Sequence, residues 1–391
     1  MSSLRIYRYL LRETLVPMFL GLAIFTLVLL MGRILKLVEM VINKGVPFMD
    51  ILILFASLLP SLLVLTLPLS FLLGVMAGLG RMSSDQEVLA LKASGTSLYQ
   101  ITVPVAILGL GVGVLTACLT MVIKPASDEL FRKQLFQIAS SRANIGIQPQ
   151  IFNDEFNNVV LYANDVDERS GQMHGVFISD ERPNSLPAII LADSGRILSN
   201  QDTLTLTLHL KNGTIHRQRS GSASAFHIIG FTQYDLNLNL GQTSIEADQP
   251  RKNKKTMSIT ELYRSIHSPD TTLGSKMNEL IAEFHWRMAL PLAPILFALL
   301  GVPLGIQPVR SGRGSGFAVG LLIFLAYYVL MSIASTLVVE GNMPGLLMWA
   351  PNLIFLMAGF MILKAAALEK PLPLTDTFRM WTDKLFRLLR K

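Results

Sequence analysis

Six stretches of this chain are long and apolar enough to cross a bilayer, and a single polar block separates the third from the fourth. They run roughly from Leu15 to Met31, Ile51 to Gly80, Ile101 to Ile123, Ala289 to Gly305, Gly316 to Val339 and Leu346 to Leu368. Each is near the ~20 residues that cover ~30 Å of hydrocarbon. The fourth is expected to begin earlier, near Met277, with Glu283, His285 and Arg287 in its first turns. Hydrophobic residues make up 51% of the sequence and charged residues only 16%. The charges gather outside the stretches, which excludes one large soluble globule.

Arg5, Arg8 and Arg12 precede the first stretch, as basic residues precede a secretory signal. No small-x-small cleavage site follows, so a retained helix is expected. Pro60 and Pro68 lie inside the second, where neighbouring helices can satisfy the freed carbonyls. Short loops give the orientation. Basic residues precede the first span, flank the second-to-third loop (Arg81, Lys92), lie in the fourth-to-fifth loop (Arg310, Arg313) and crowd the tail, whereas the fifth-to-sixth loop holds Glu340 and no cation. Both termini are therefore expected in the cytoplasm and the polar block in the periplasm. Arg33, Lys36 and Lys44 fall on the wrong side of that rule. The net charge of +7 follows this topology, and no basic patch interleaved with aromatics points to nucleic acid.

The organisation expected is transmembrane helices over 1–124, a periplasmic domain over 125–276, and helices with a cytoplasmic tail over 277–391. The periplasmic block reads as strands: 188–191, then 204–210 with strict alternation, and 234–240 alternating again. Asn212-Gly213 reads as a two-residue hairpin turn, with the chain returning through 214–219. The fold class is α+β: six transmembrane helices with an all-β sandwich or jelly roll inserted between the third and fourth. Residues 248–255 look like a polar loop. Cys118 is the sole cysteine, so no disulfide framework or cysteine-rich metal cluster is possible.

No phosphate-binding G-x-x-x-x-G-K-[ST] loop occurs, and no H-E-x-x-H or G-x-S-x-G. The glycine-rich run 313–316 reads as a flexible turn. His209, His216 and His227 sit on strands without the spacing of a ligand set and read as surface histidines. No catalytic residue, cofactor or metal is expected.

Two features carry a functional reading. Residues 82–95, between two spans, read as a short cytoplasmic helix with Ser84 at the N-cap, Glu87 three residues on and Gly95 at the stop. Asp85 and Glu87 give it an acidic tip, and Val88, Leu89 and Leu91 an apolar face. The pattern fits either a plain capping box or a helix that couples to a cytoplasmic partner. Arg33 and Lys36, three apart, share one helical face at the outer end of the first span. They either snorkel to headgroups or capture an anion such as a lipid phosphate. The tail from Thr375, with Phe378, Trp381, Leu385 and Leu388 among cations, fits an interfacial amphipathic helix.

Tyr7-Arg8-Tyr9-Leu10-Leu11-Arg12-Glu13, the run from Asp85-Gln86-Glu87 to Ala93-Ser94-Gly95, and Glu283-Phe284-His285-Trp286-Arg287 leading into Val302-Pro303-Leu304 together resemble the LptF/LptG family of lipopolysaccharide-export permeases, the opening favouring the LptF-like half. The resemblance covers the whole chain in order. It implies a half-permease of an ABC transporter, paired with a paralogous LptG-like six-span chain and a dimeric cytoplasmic ATPase. It further implies a periplasmic jelly roll that passes lipopolysaccharide to an LptC-like bridge component. By the same resemblance Arg33 and Lys36 contact lipid A phosphates, and Asp85 and Glu87, with Val88 and Leu91 beside them, couple to the ATPase. The alternatives are a membrane-anchored periplasmic scaffold or receptor, for which one span would suffice, and a secondary transporter. The absence of an internal repeat and of ionisable groups at span centres opposes the latter.

Overall fold

The computed structural model describes residues 3–44, 47–143, 149–156, 158–167, 171–182, 187–200, 205–218, 226–238, 254–267, 274–306 and 315–369. The expected amphipathic tail, the loop with Arg310 and Arg313, and most of the 248–255 loop lie outside them. The chain divides into two compact units. One comprises Met1–Gly45, Phe55–Asp128 and Asn253–Lys391; the other comprises Val46–Leu54 and Glu129–Lys252.

The first unit holds α1 (Ser3–Lys44), α2 (Phe48–Ser84), α3 (Glu87–Ala93), α4 (Leu98–Cys118), α6 (Ile259–His267), α7 (Gly274–Ala289), α8 (Ala293–Ile306), α9 (Ser315–Val339) and α10 (Ala350–Ala367), although the first turns of α2 group with the second unit. Among the described residues six helical segments are long and apolar enough to span a membrane: Arg5–Arg33, Phe48–Ser84, Leu98–Ile138, Met277–Ile306, Gly316–Val339 and Gly345–Ala367. The six expected spans and the α+β class are thus borne out. α1 runs well past the expected end at Met31, so Arg33 and Lys36 stand on a continuing helix rather than in a loop. α4 passes through one wide turn, Leu119–Ile123, into α5 (Lys124–Ala143). There Lys124 N–H reaches back five residues to Leu119, just ahead of Pro125, whose ring crowds the carbonyl four residues before it.

Lipid tails are as apolar as leucine, so these helices associate by close packing rather than by the hydrophobic effect, and small residues permit the closest approach. Three G-x-x-x-G pairs do this. Gly74 and Gly78 of α2 receive Met18 and Glu13 of α1; Gly109 and Gly113 of α4 receive the carbonyls of Pro294 and Pro291; Gly301 and Gly305 of α8 receive Val75, Met76 and Leu79 of α2. Threonines inside the spans satisfy themselves locally: Thr14, Thr102, Thr116 and Thr120 each donate to the carbonyl four residues back. The fourth span tightens to a 3-10 turn at Leu290–Leu292 between α7 and α8. At that break Asn352 of α10 donates to the Ala289 carbonyl (2.9 Å) and accepts from the Tyr327 hydroxyl of α9 (2.8 Å), so one buried network joins three helices.

The second unit carries six strands in sequence order, β1 (Asn153–Phe156), β2 (Val159–Val166), β3 (Gln172–Asp180), β4 (Ala188–Asn200), β5 (Thr205–Gln218) and β6 (Phe226–Leu238), each antiparallel to the next. Their alternation buries Leu161, Ile178, Ile190, Leu208 and Leu236 with Phe136 of α5. Asn212-Gly213 is not the expected hairpin turn. β5 runs straight through it and pairs with β4 and β6 on both sides without a register slip. Asn212 takes φ 48°. It stands level with Asp193 of β4 and Gly175 of β3, the latter at φ 61°. Along this transverse row all three strands invert their alternation: Leu206, Leu208 and Leu210 are buried before it and Ile215 after it, and Ala188, Ile190 and Ala192 give way to Gly195 and Ile197. One residue per strand is spent in a shared crease, as in a bulge. A reversal at Asn212 would have forfeited half of two ladders. Gly213 must be glycine, because a β-carbon there would collide with the Leu191 carbonyl and the Phe231 ring.

The sheet also rolls on itself. Arg182, just beyond β3, donates to both Asp180 oxygens (2.8 and 2.6 Å) and to the Asn237 carbonyl of β6 (3.0 Å), three strands away in sheet order. Burial pushes the Asp180 carboxyl up, but the hydrogen bonds and charge of Arg182 outweigh it and hold the group below its ordinary 3.8. The clasp therefore stabilises the roll fully above that value and is lost as pH falls through the depressed folded value. Arg182→Ala is expected to lower stability by about 1–3 kcal/mol, the usual loss when hydrogen bonds to a charged group are removed. Thermal melts of the protein at pH 7 and pH 3 check this, since the difference between wild type and variant should shrink at the lower pH.

Candidate functional site

The turn between α2 and α4 carries the acidic tip singled out above. Ser84 is the last residue of α2, and its hydroxyl donates back to the Gly80 carbonyl (2.9 Å). It does not cap α3. The expected capping box of Ser84 and Glu87 is therefore wrong: the α2 ladder continues past it, with Asp85 N–H on the Arg81 carbonyl, and a serine inside a helix bonds backward. The residue ahead of α3 is Gln86, at φ 59° and with no side-chain cap. A true capping box lies one turn further on, Ser97 with Gln100, opening α4. Gly95 does stop α3: at φ 90° its N–H bonds the Lys92 carbonyl and Thr96 N–H bonds that of Leu91, a Schellman ending.

The expected apolar face of Val88, Leu89 and Leu91 divides, two of the three turning inward and Leu89 outward. Val88 is buried and Leu91 half-buried, both against the core of the membrane unit, because their spacing of three places them on one helical face. The outward rim is Asp85, Gln86, Leu89, Ala90 and Ala93, with Leu89 63% exposed. Glu87 is engaged within the chain, where its Oε2 accepts from the Tyr9 hydroxyl of α1 (2.7 Å). Arg81 of α2 pairs with Glu13 of α1. Ser83 donates to the Ile306 carbonyl at the end of α8 (2.5 Å), and Lys92 reaches Glu369 beyond α10 (3.4 Å). α3 is thus fastened by Glu87 to α1 and by Lys92 to Glu369, and the end of α2 beside it to α1 and α8, while the exposed rim with Asp85 stays open.

Arg33 is exposed, about 36 Å along α1 from Tyr9 at 1.5 Å per residue. Lys36 lies on the same helix, its side chain outside the described residues. The structure gathers Glu87, Val88 and Leu91 on one short helix, with Asp85 in the turn just before it, and keeps Arg33 apart from them. On the sheet, the crease opens into a groove of about 700 Å³ between Tyr162, Phe177 and Leu191 on one side and Asp193, Asn212 and Thr232. His209 faces Asp235 across β5 and β6, and His216 meets Thr214 (3.1 Å).

Two features escaped the sequence reading. Tyr9 as the partner of Glu87, 78 positions away, has no local signal. Arg287 stands early in the fourth span, Met277–Ile306, as expected, in the last turn of α7, but its full burial was not foreseen. Its guanidinium donates to Glu283 (2.7 Å) and to the carbonyls of Met257 (2.6 Å), Lys254 (2.8 Å) and Lys255 (3.2 Å). An intramembrane arginine running with Glu283 four residues before it was the available clue.

A family model described as "Lipopolysaccharide export system permease LptF/LptG" matches residues 8–365. The lipopolysaccharide export system permease protein LptF of Escherichia coli K12 is 26% identical over 358 residues, 90% of this chain and 92% of its own length. That of Shigella flexneri matches to the same extent. An uncharacterised protein of Rickettsia prowazekii is 25% identical over 277 residues, 66% of this chain and 70% of its own.

Proposed function

Since the chain belongs to the LptF/LptG family of lipopolysaccharide-export permeases, multi-pass transport proteins of the inner membrane, we propose that it is the LptF-like half of an ABC transporter. It takes lipopolysaccharide from the outer leaflet and passes it into the rolled β-unit. The β-unit is the periplasmic jelly roll of that path, and it hands the lipid to an LptC-like bridge component. A paralogous LptG-like chain completes the permease. Both termini face the cytoplasm, where a dimeric ATPase docks and supplies the energy.

The observation that carries this reading is α3. It is a short helix tied to span ends by Glu87 on Tyr9 and by Lys92 on Glu369, yet it presents Leu89 to solvent, as the turn before it presents Asp85. A rim that is open while its root is fastened suits a part that must be pushed from outside and move its neighbours. Asp85 and Leu89 form the docking rim, Val88 and Leu91 root it, and Glu87 ties it to α1. Arg33 and Lys36 meet the anionic phosphates of the lipid, because a basic pair beyond the bilayer centre attracts such groups and a merely snorkelling pair would not select them.

Affinity purification in mild detergent tests the class. The expected co-purifying chains are a cytoplasmic ATPase and a second six-span permease, whereas recovery of the chain alone would favour a scaffold. In the recovered complex, photo-crosslinking to lipopolysaccharide should fall about fivefold in the Arg33→Ala/Lys36→Ala double variant. Undiminished crosslinking would reduce the pair to headgroup anchors.

A further inference from the structure

α1 is gripped along its inner half and more open over 27–33 beyond it. Leu10, Thr14 and Met18 are buried, Thr26 meets Thr66 (3.1 Å) and Phe25 stacks on Phe317 (6.2 Å), and past them Leu27, Val28, Met31 and Arg33 are exposed while Leu29 and Leu30 are half-buried. The closest approach is at Gly74 and Gly78 of α2. A β-carbon at Gly74 would sit 2.7 Å from that of Met18, and one at Gly78 would collide with the Glu13 carbonyl. That carbonyl is also the one that Pro17 deprives of its helical donor, since proline has no N–H to give four residues back. Helices bend where such a bond is missing. The tightest crossing of α1 therefore coincides with its most pliable point. Inward of it, α2 holds Glu13 through Arg81, and α3 holds Tyr9 through Glu87.

We infer that Tyr9 and Glu87 are positioning residues: they form a latch through which α3 moves α1 about the Pro17/Gly74–Gly78 crossing and so carries Arg33. The inference rests on the proposed role of α3 as the docking helix. At 1.5 Å per residue the arm from the crossing to Arg33 is roughly two to three times the arm to Tyr9, so a small displacement of α3 is magnified at the outer end. The latch is a phenol donating to a carboxylate, the stronger class of hydrogen bond. Its geometry depends on one hydroxyl, which makes it separable from packing: Tyr9→Phe removes the bond and keeps the ring.

The test uses the full complex, chain with both partners, in proteoliposomes. Spin labels on Met31→Cys and Leu325→Cys, both exposed, are introduced in a Cys118→Ser background. The label distance is measured with and without a non-hydrolysable ATP analogue, and lipopolysaccharide released per ATP hydrolysed is measured in parallel. The nucleotide-driven change in distance should fall by at least half in Tyr9→Phe and in Glu87→Ala, with the double variant no worse than either. Lipid released per ATP should fall about threefold in the same variants. Glu87→Gln, whose amide oxygen still accepts from Tyr9, should restore both readouts. A Tyr9→Phe complex with the wild-type distance change and coupling ratio, or losses that multiply in the double variant, would overturn the latch alone. A wild-type complex that neither hydrolyses ATP nor moves lipid would overturn the exporter reading and the latch with it.

Discussion

Arg287→Ala is expected to cost about 3–5 kcal/mol and to leave little folded protein in the membrane, the range found when one partner of a buried charge pair is deleted. The side chain is fully buried, and three backbone carbonyls and the Glu283 carboxylate depend on its donors. Its removal strands a carboxylate at 15% exposure in a membrane-spanning helix and takes a donor from each of three backbone carbonyls. Arg287→Lys should recover only a small part, because an ammonium is a point donor and cannot serve four acceptors spread around a planar fork. The Arg287→Ala/Glu283→Gln double variant should be less damaged than Arg287→Ala itself, since it leaves no uncompensated charge. Thermal unfolding in detergent, followed by fluorescence or scattering, ranks the three. A single alanine variant as stable as wild type would show that segment 254–257 is held by something other than this arginine. The consequence is functional as well, because that segment is the first described stretch after the β-unit, and Lys254 adds a pair with Glu279 (2.7 Å).

How much of this the sequence disclosed depended on the range of the interaction. The spans were legible because each is a local excess of apolar residues over a length set by the bilayer, and Gly95 was legible because a helix stop needs φ near +90° there. Asn212-Gly213 misled because the same local preference for positive φ serves either a turn or a crease. The choice was made by flanking strands that pair on both sides. Ser84 misled for a related reason: a cap requires the preceding helix to have ended, and α2 had not. Glu87 was placed on the right helix, but Asp85 lies in the turn before it, and the apolar face divides, with Val88 and Leu91 inward and Leu89 outward. Three- and four-residue spacing says which residues share a face and never which face meets the core. Tyr9 with Glu87, and Arg182 with Asn237, join residues far apart in sequence and left no trace in any window. The three G-x-x-x-G pairs were plainly visible and went unused, although each marks a place where one span presses on another's backbone.

The sharpest consequence of those pairs is at Gly78. Gly78→Leu should displace α1 from α2, because a β-carbon there meets the Glu13 carbonyl, which is backbone and cannot swing aside as a side chain could. Overpacking of this kind costs about 1–3 kcal/mol where atoms can shift, and a clash against backbone should lie at or above the top of that range. Ala77, next to it and exposed, supplies the control: Ala77→Leu adds three of the same four carbons at an exposed position and should leave stability unchanged. The displacement also separates the two claims made for α1. Lifting the helix off its crossing moves Glu13 away from Arg81 and Tyr9 away from Glu87 together. A Gly78→Leu complex that still assembles should therefore lose lipid release per ATP, and Tyr9→Phe added to it should subtract nothing further. If Gly78→Leu instead melts at the wild-type temperature and transports normally, α1 is not seated on α2 at that glycine, and neither the pivot nor the arm it supports exists.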